Sequence, residues 1–120
     1  MRVFDSFAWI EYFKGSERGL KVRDHVDGDT PIYTPALCLT EIKSKYLGEG
    51  RDPRDRVEFI VKRSLIISIN EEIALRAADL KHKHGLHTVD ALIYSSAQAK
   101  NLRLVTGDQH FEDLPDVDMI

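Results

Sequence analysis

Four carboxylates stand where a fold could gather them: Asp5, Glu41, Asp90 and Asp108. Asp5 follows a short apolar run, and Asp108 follows another in the turn Thr106-Gly107-Asp108. Asp90 falls in the first turn of a helical segment opening at Thr88, and Glu41 about two turns into one opening at Thr34. Each has a plainer reading. An aspartate after a strand commonly forms a turn or a cap. Asp90 would complement a helix dipole, and Glu41 has Lys45 at i+4 as a surface partner. Yet Leu37, Cys38 and Ile42 surround Glu41 with apolar surface, and a buried carboxylate needs a partner.

Carboxylates brought close together repel, and one takes up a proton unless a cation intervenes. Magnesium or manganese suits such a set, because hard cations prefer oxygen ligands. Two such ions roughly 3.5–4 Å apart can activate water and stabilise the leaving oxygen of a phosphodiester. The chain has no glycine-rich phosphate loop or Walker lysine, which argues against nucleoside triphosphate binding. A phosphoacceptor receiver domain needs paired acids after its first strand and a late lysine; here Ser6 follows Asp5, and Thr106 holds the late position. An Asp-x-Asp phosphatase is excluded by Phe7.

The elements that would position these residues alternate between short apolar runs and longer amphipathic ones. Strands are expected at Arg2–Phe4, Ile32–Tyr33, Leu65–Ile69, Leu102–Val105 and Val117–Ile120, the last at an edge. Ser6 should cap a helix through Phe13 that ends near Gly15, and a second helix should cover Arg18–Val26 before a turn at Asp27-Gly28-Asp29. Thr34 and Pro35 read as the cap and first residue of a helix to Leu47. Asp52 and Pro53 open another, to Arg63. Asn70 should cap Glu71–His84, with Gly85 as its stop. Thr88 should cap a helix to Lys100, whose small residues suit close packing on a sheet. Strands joined by helices imply a mostly parallel sheet covered on both faces, with its working site beyond the carboxyl ends of the strands. Asp5 and Asp108 would then share one rim, within reach of Asp90 and Glu41.

The chain has 120 residues, 42% of them hydrophobic and 31% charged, which fits one globular domain with a core of its own. No apolar run approaches the roughly 20 residues of a membrane span. Asp5 and Glu11 interrupt any signal peptide, and the single Cys38 forms no internal disulfide, so the cytoplasm is the expected location. A net charge of -3 argues against nonspecific coating of nucleic acid. Even so, Ile42–Arg63 carries seven basic against four acidic side chains. That segment is either a phosphate-binding surface or a solvated helical face.

Other residues carry less. His82 and His84 lie two apart on a helix, on different sides, so they do not share a zinc ion easily. His110 suggests a structural hydrogen bond or a substrate contact. Cys38 suits a small core position. Trp9, Tyr12 and Phe13 form an apolar stripe, mostly core, whose exposed part could serve a partner.

Three blocks carry a resemblance that spans essentially the whole chain. They are Val3-Phe4-Asp5-Ser6, then Leu39-Thr40-Glu41-Ile42, and lastly Thr88-Val89-Asp90-Ala91-Leu92-Ile93 with Leu104-Val105-Thr106-Gly107-Asp108-Gln109-His110-Phe111. In these the chain resembles PIN domains, in particular the VapC-like toxins of toxin–antitoxin pairs. The resemblance implies one PIN domain over residues 1–120, an α/β/α sandwich with a parallel sheet. It also implies an acidic pocket binding Mg²⁺ or Mn²⁺, and cleavage of RNA. Asp5, Glu41, Asp90 and Asp108 match the family's acids, and Ser6 and Thr106 match polar positions that support them. Asp5 and Asp90 would be the principal ligands, Asp108 would help to hold a second ion, and Glu41 would position an ion or the attacking water. A homodimer and a cognate antitoxin covering the pocket are further implications. The alternatives are a catalytically silent PIN module that binds partners, and a housekeeping PIN nuclease.

Overall fold

The computed structural model describes residues 1–120. Five short strands form one sheet: β1 (Arg2–Phe4), β2 (Ile32–Pro35), β3 (Leu65–Ile67), β4 (Arg103–Thr106) and β5 (Val117–Met119), in the order β3-β2-β1-β4-β5. Every pairing is parallel. Helices fill the first three connections: α1 (Ser6–Lys14) and α2 (Glu17–Asp27), then α3 (Ala36–Gly48) and α4 (Arg54–Arg63), then α5 (Glu71–His84) and α6 (Thr88–Ala99). A 3₁₀ turn at Gln109–Phe111 leads towards β5. No helix is long and apolar enough to cross a membrane.

The strands alternate their side chains between two buried layers. Val3 and Leu104 face a layer that contains Ile73 and Ala77 of α5 and Ala91, Ile93, Tyr94 and Ala97 of α6. Phe4, Ile32 and Val105 face the other, with Ala8 and Trp9 of α1, Val22 and Val26 of α2, Ile42 and Tyr46 of α3, and Ile60 of α4. This is the expected α/β/α sandwich. Because both sheet faces are covered, the strands read as continuous apolar runs rather than alternating ones.

The expected helix boundaries hold best where a local signal has no competitor. Asn70 accepts a hydrogen bond from the Ile73 N–H at 2.9 Å, and Gly85 ends α5 in the left-handed conformation at φ 67°. Three expected caps are instead committed elsewhere. Asp5, not Ser6, caps α1, and the Ser6 hydroxyl donates to Glu41. Thr34 belongs to β2, where its hydroxyl accepts from Trp9 Nε1 at 3.0 Å and pairs with the Ser64 hydroxyl at 2.8 Å. Thr88 accepts from Lys81 Nζ at 2.9 Å, while His87 takes the cap position of α6 without a side-chain bond. β3 stops at Ile67, two residues short of the apolar run.

The basic stretch between Ile42 and Arg63 is largely paired. Lys45 meets Glu49, Arg54 meets Asp52 and Lys62 meets Glu58. Arg63 donates to the carbonyls of His25, Val26, Gly28 and Thr30, tying α4 to the end of α2.

α1 and α2 pack so closely that Gly19 has no room for a side chain. A Cβ there would lie 2.0 Å from the backbone oxygen of Glu11, and main chain cannot rotate aside. Gly19→Ala should therefore cost about 3 kcal/mol by overpacking. Urea unfolding measures this directly, and a variant as stable as the parent would mean that the two helices separate freely.

Candidate functional site

The strand order reverses at β1: β2 and β3 extend to one side of it, β4 and β5 to the other. The crevice beyond β1 and β4 is thus the topological switch point, where open α/β sheets bind their ligands. Asp5 directly follows β1 and Asp108 follows β4, so both stand at that crevice. Glu41 reaches it from α3 and Asp90 from the first turn of α6. All four carboxylates line one cavity of about 230 Å³, with Phe7, Ile10, Ile93 and Phe111 among its apolar walls and Glu11, Lys14 and Lys45 also lining it.

Asp5 is the most enclosed of the four, at 2% exposure. One carboxylate oxygen accepts the Ala8 N–H at 2.9 Å, capping α1. The other accepts the Thr106 hydroxyl. Thr106 Oγ1 in turn accepts the Asp108 N–H at 3.0 Å, so a single buried hydroxyl links the two strand-end aspartates. Gly107 lets this turn press against α1, since a Cβ there would fall 2.2 Å from the Phe7 ring. Ser6 donates to Glu41 Oε1 at 3.1 Å, fixing one oxygen of that carboxylate. Lys45 pairs with Glu49 at 2.9 Å rather than with Glu41.

Asp90 and Asp108 come together around His110. Its Nδ1 lies 3.3 Å from Asp90 and 3.2 Å from Asp108, and its backbone N–H donates to Asp108 at 2.9 Å. Ligand atoms of these three residues all lie within 4.8 Å of one another. The His110 ring also meets His87, with centroids 5.6 Å apart. His110 thus belongs to the acidic site, a place its sequence position suggested only by closeness to Asp108. His84 instead meets Tyr94 edge to face.

Electrostatics show the strain of this gathering. Burial pushes the Asp5 carboxyl up to about 7, opposed by the bonds from Thr106 and Ala8 and reinforced by the charges of Asp108 and Glu41. Burial also raises Glu41, with Asp90 and Asp108 adding to it and Ser6 opposing. It raises Asp90 too, with Asp108 adding and His110 and His87 opposing. Cys38 is buried and free, and burial raises its thiol further with help from Asp5 and Glu41. It is a core residue behind the acids.

A family model described as the PIN domain matches residues 2–117. The chain belongs to the PIN-domain family. No curated protein matches the chain at the sequence level. Solved structures similar to this PIN domain include a toxin–antitoxin complex from Klebsiella pneumoniae, with TM-score 0.81 and 23% identity over 99% of this chain and 97% of that one. VapBC2 from Rickettsia felis, bound to a promoter DNA fragment, is similar with TM-score 0.76 and 16% identity over 99% and 96% of the two chains. VapBC-1 from nontypeable Haemophilus influenzae gives TM-score 0.73 and 20% identity over 98% and 96%. At these identities the likeness concerns the fold.

The donor set suits a hard divalent cation. It offers carboxylate oxygens from four separate elements, and no lysine or arginine forms an ion pair with any of them. Ser6 and Thr106 hold two of the carboxylates in fixed orientations, as supporting groups do around metal ligands.

Proposed function

We propose that this PIN domain is a divalent-cation-dependent endoribonuclease, the toxin of a toxin–antitoxin pair, acting through Asp5, Glu41, Asp90 and Asp108. The observation that carries the reading is the convergence of these four carboxylates on one cavity at the switch point, with no lysine or arginine paired to them. Such an arrangement disfavours its own ionised state and favours a cation. The structures of toxin–antitoxin complexes with the same fold support the toxin role and a cognate antitoxin as partner. The resemblance to VapC-like toxins supports a homodimer and a cytoplasmic setting.

Asp5 and Asp90 would be the main ligands of Mg²⁺ or Mn²⁺, and Asp108 would hold a second ion. When bound, these ions supply Lewis acidity to the phosphate and lower the pKa of water. The chain's own groups do the rest. Thr106 and the Ala8 N–H keep Asp5 in one rotamer, so no reorganisation is needed as charge develops on the phosphate. Ser6 occupies Glu41 Oε1, which leaves Oε2 to orient the attacking water and accept its proton. Water adds to phosphorus, the bond to the leaving ribose oxygen breaks, and that oxygen takes up a proton from solvent water while Glu41 releases its own to solvent.

The test is cleavage of a mixed RNA panel by purified protein in Mg²⁺, Mn²⁺ or EDTA, beside Asp90→Asn. Cleavage should require a metal and should fall more than about a hundredfold in the variant, since outer-shell changes alone cost 10–100-fold. A variant that cuts like its parent would assign the activity elsewhere. An antitoxin-free protein that never cuts RNA would leave a PIN module that only binds partners.

A further inference from the structure

A second recess opens beside the acidic cavity and shares Ile10, Lys14 and Lys45 with it. Its remaining wall includes Phe13, Tyr46, Arg51 and Arg56. The charge changes sign along the combined groove. The cavity holds the four site carboxylates, whereas the recess holds four cationic side chains and one carboxylate, Glu49.

Two of these cations are uncommitted. Glu49 engages Lys45 at 2.9 Å and Arg51 at 3.5 Å. Lys14 and Arg56 form no ion pair. Arg56 is half-buried, and rings rather than acids hold it: its guanidinium carbon lies 5.7 Å from the Phe13 centroid and 5.1 Å from that of Tyr46. Cation–π contact fixes the guanidinium plane and leaves its N–H donors unpaired. A planar fork held in place, with donors free, matches a phosphate group.

We propose that Arg56 and Lys14 form a phosphate subsite for the RNA strand next to the cleaved linkage. The inference rests on the nuclease reading above and deepens it. A strand with one phosphate among the acids must lay its neighbours along the adjoining surface, and this recess is cationic and continuous with the cavity. Lys14, at the junction, meets the nearer phosphate, and Arg56 grips the next. The Tyr46 ring is itself covered, so the subsite reads backbone rather than bases and binds without strong sequence preference.

The experiment measures binding of a fluorescein-labelled single-stranded RNA of mixed sequence in EDTA, over a range of KCl concentrations. It compares the parent with Arg56→Gln, Lys14→Gln, Arg56→Lys and, as a charge control outside the groove, Lys43→Gln. Metal-dependent cleavage by the parent is followed in parallel. Arg56→Gln and Lys14→Gln should each weaken binding roughly tenfold, as loss of a hydrogen bond to a charged group does. Each should also flatten the log–log salt slope by about 0.7. Arg56→Lys should recover part of the affinity, and Lys43→Gln should bind like the parent. Lys14 is exposed, so its variant gives the same reading even if Arg56→Gln unfolds. Unchanged affinity and slope in both glutamine variants, while the parent still cuts RNA, would overturn the subsite alone; the free guanidinium would then suit an acidic protein partner. Equal weakening by Lys43→Gln would overturn it in favour of general charge attraction. A parent that neither binds nor cuts RNA would overturn the subsite and the nuclease reading together.

Discussion

Replacing Asp5 by asparagine should abolish RNA cleavage and, at the same time, make the metal-free protein more stable at neutral pH. The two effects share one cause. Asp5 is almost fully buried and its carboxyl is pushed up to about 7, whereas an unfolded chain holds it near 3.8. The folded state therefore binds this proton more tightly than the unfolded state does. Below pH 4 both states are protonated, and the group costs nothing. As pH rises towards 7 the unfolded chain ionises freely, while the folded chain must keep the proton or carry a buried charge. Stability is lost across that window, reaching about 4 kcal/mol from three pKa units.

Asparagine removes the titration while keeping the shape. Its oxygen can accept the Ala8 N–H, and its amide can donate to Thr106 Oγ1, as the protonated acid would. In EDTA the melting temperature of Asp5→Asn should exceed that of the parent by on the order of 10 °C at pH 8, and the two should converge near pH 4. Adding Mn²⁺ should stabilise the parent by mass action and have little effect on the variant. Thermal unfolding from pH 4 to 8 reads all of this. A variant less stable than the parent at pH 8 without metal would show that Asp5 is held as a charge by the protein itself, which would remove the main reason for placing a cation there.

The sequence made this group visible because strand-end aspartates and parallel topology follow from local patterns. The run Arg2–Phe4 and the segment Asn70–Gly85 could be read to the residue, the first as a short apolar run closed by Asp5 and the second as an amphipathic helix with clear signals at both ends. What local patterns do not contain is the choice a hydroxyl makes between its own backbone and a distant group. Ser6, Thr34 and Thr88 each had cap chemistry, and each bonds instead to a side chain: Glu41 for Ser6, Trp9 and Ser64 for Thr34, Lys81 for Thr88. For Ser6 the consequence is functional, because it frees the cap position for Asp5. That aspartate is therefore both an ordinary helix cap and one of the four carboxylates lining the cavity, so the two readings do not compete.

For His110 the sequence offered a hydrogen bond or a substrate contact, but its meeting with Asp90 was hidden for a different reason. Its distance to Asp90 depends on how α6 and the turn after β4 meet, and 20 residues separate the two in sequence. The strand order has the same character. Nothing in the apolar runs specifies β3-β2-β1-β4-β5, yet that order brings the ends of β1 and β4 together. Arg56 likewise looked like one charge in a basic stretch. Only the packing of α4 against the rings of Phe13 and Tyr46 separates it from neighbours that are spent on ion pairs.

Thr106→Val should be the most damaging conservative change near the site. The substitution keeps volume and β-branching, so β4 and the core around it are undisturbed. It deletes one hydroxyl that donates to Asp5 and accepts the Asp108 N–H. A hydrogen bond to a buried charge contributes about 1.5–3 kcal/mol, and the orphaned N–H adds to the loss. The expected destabilisation is about 3 kcal/mol at pH 8. It should shrink towards pH 4, because the Thr106 bond holds Asp5 in its charged form. Removing that bond raises the Asp5 carboxyl still further, so the window of lost stability extends to higher pH. In an Asp5→Asn background no charge remains to be held, and the same substitution should cost about 2 kcal/mol, a neutral bond plus the same orphaned N–H. A double-mutant cycle from urea unfolding gives the coupling between the two residues. Equal costs in both backgrounds would mean that Thr106 supports the turn to Asp108 and not the charge on Asp5. Thr106→Ser, which restores the hydroxyl and loses only a methyl group, separates these roles in the other direction. If charge orientation is what Thr106 supplies, the serine variant keeps the coupling and the RNA cleavage that the valine variant should lose, although it leaves a small cavity in the core.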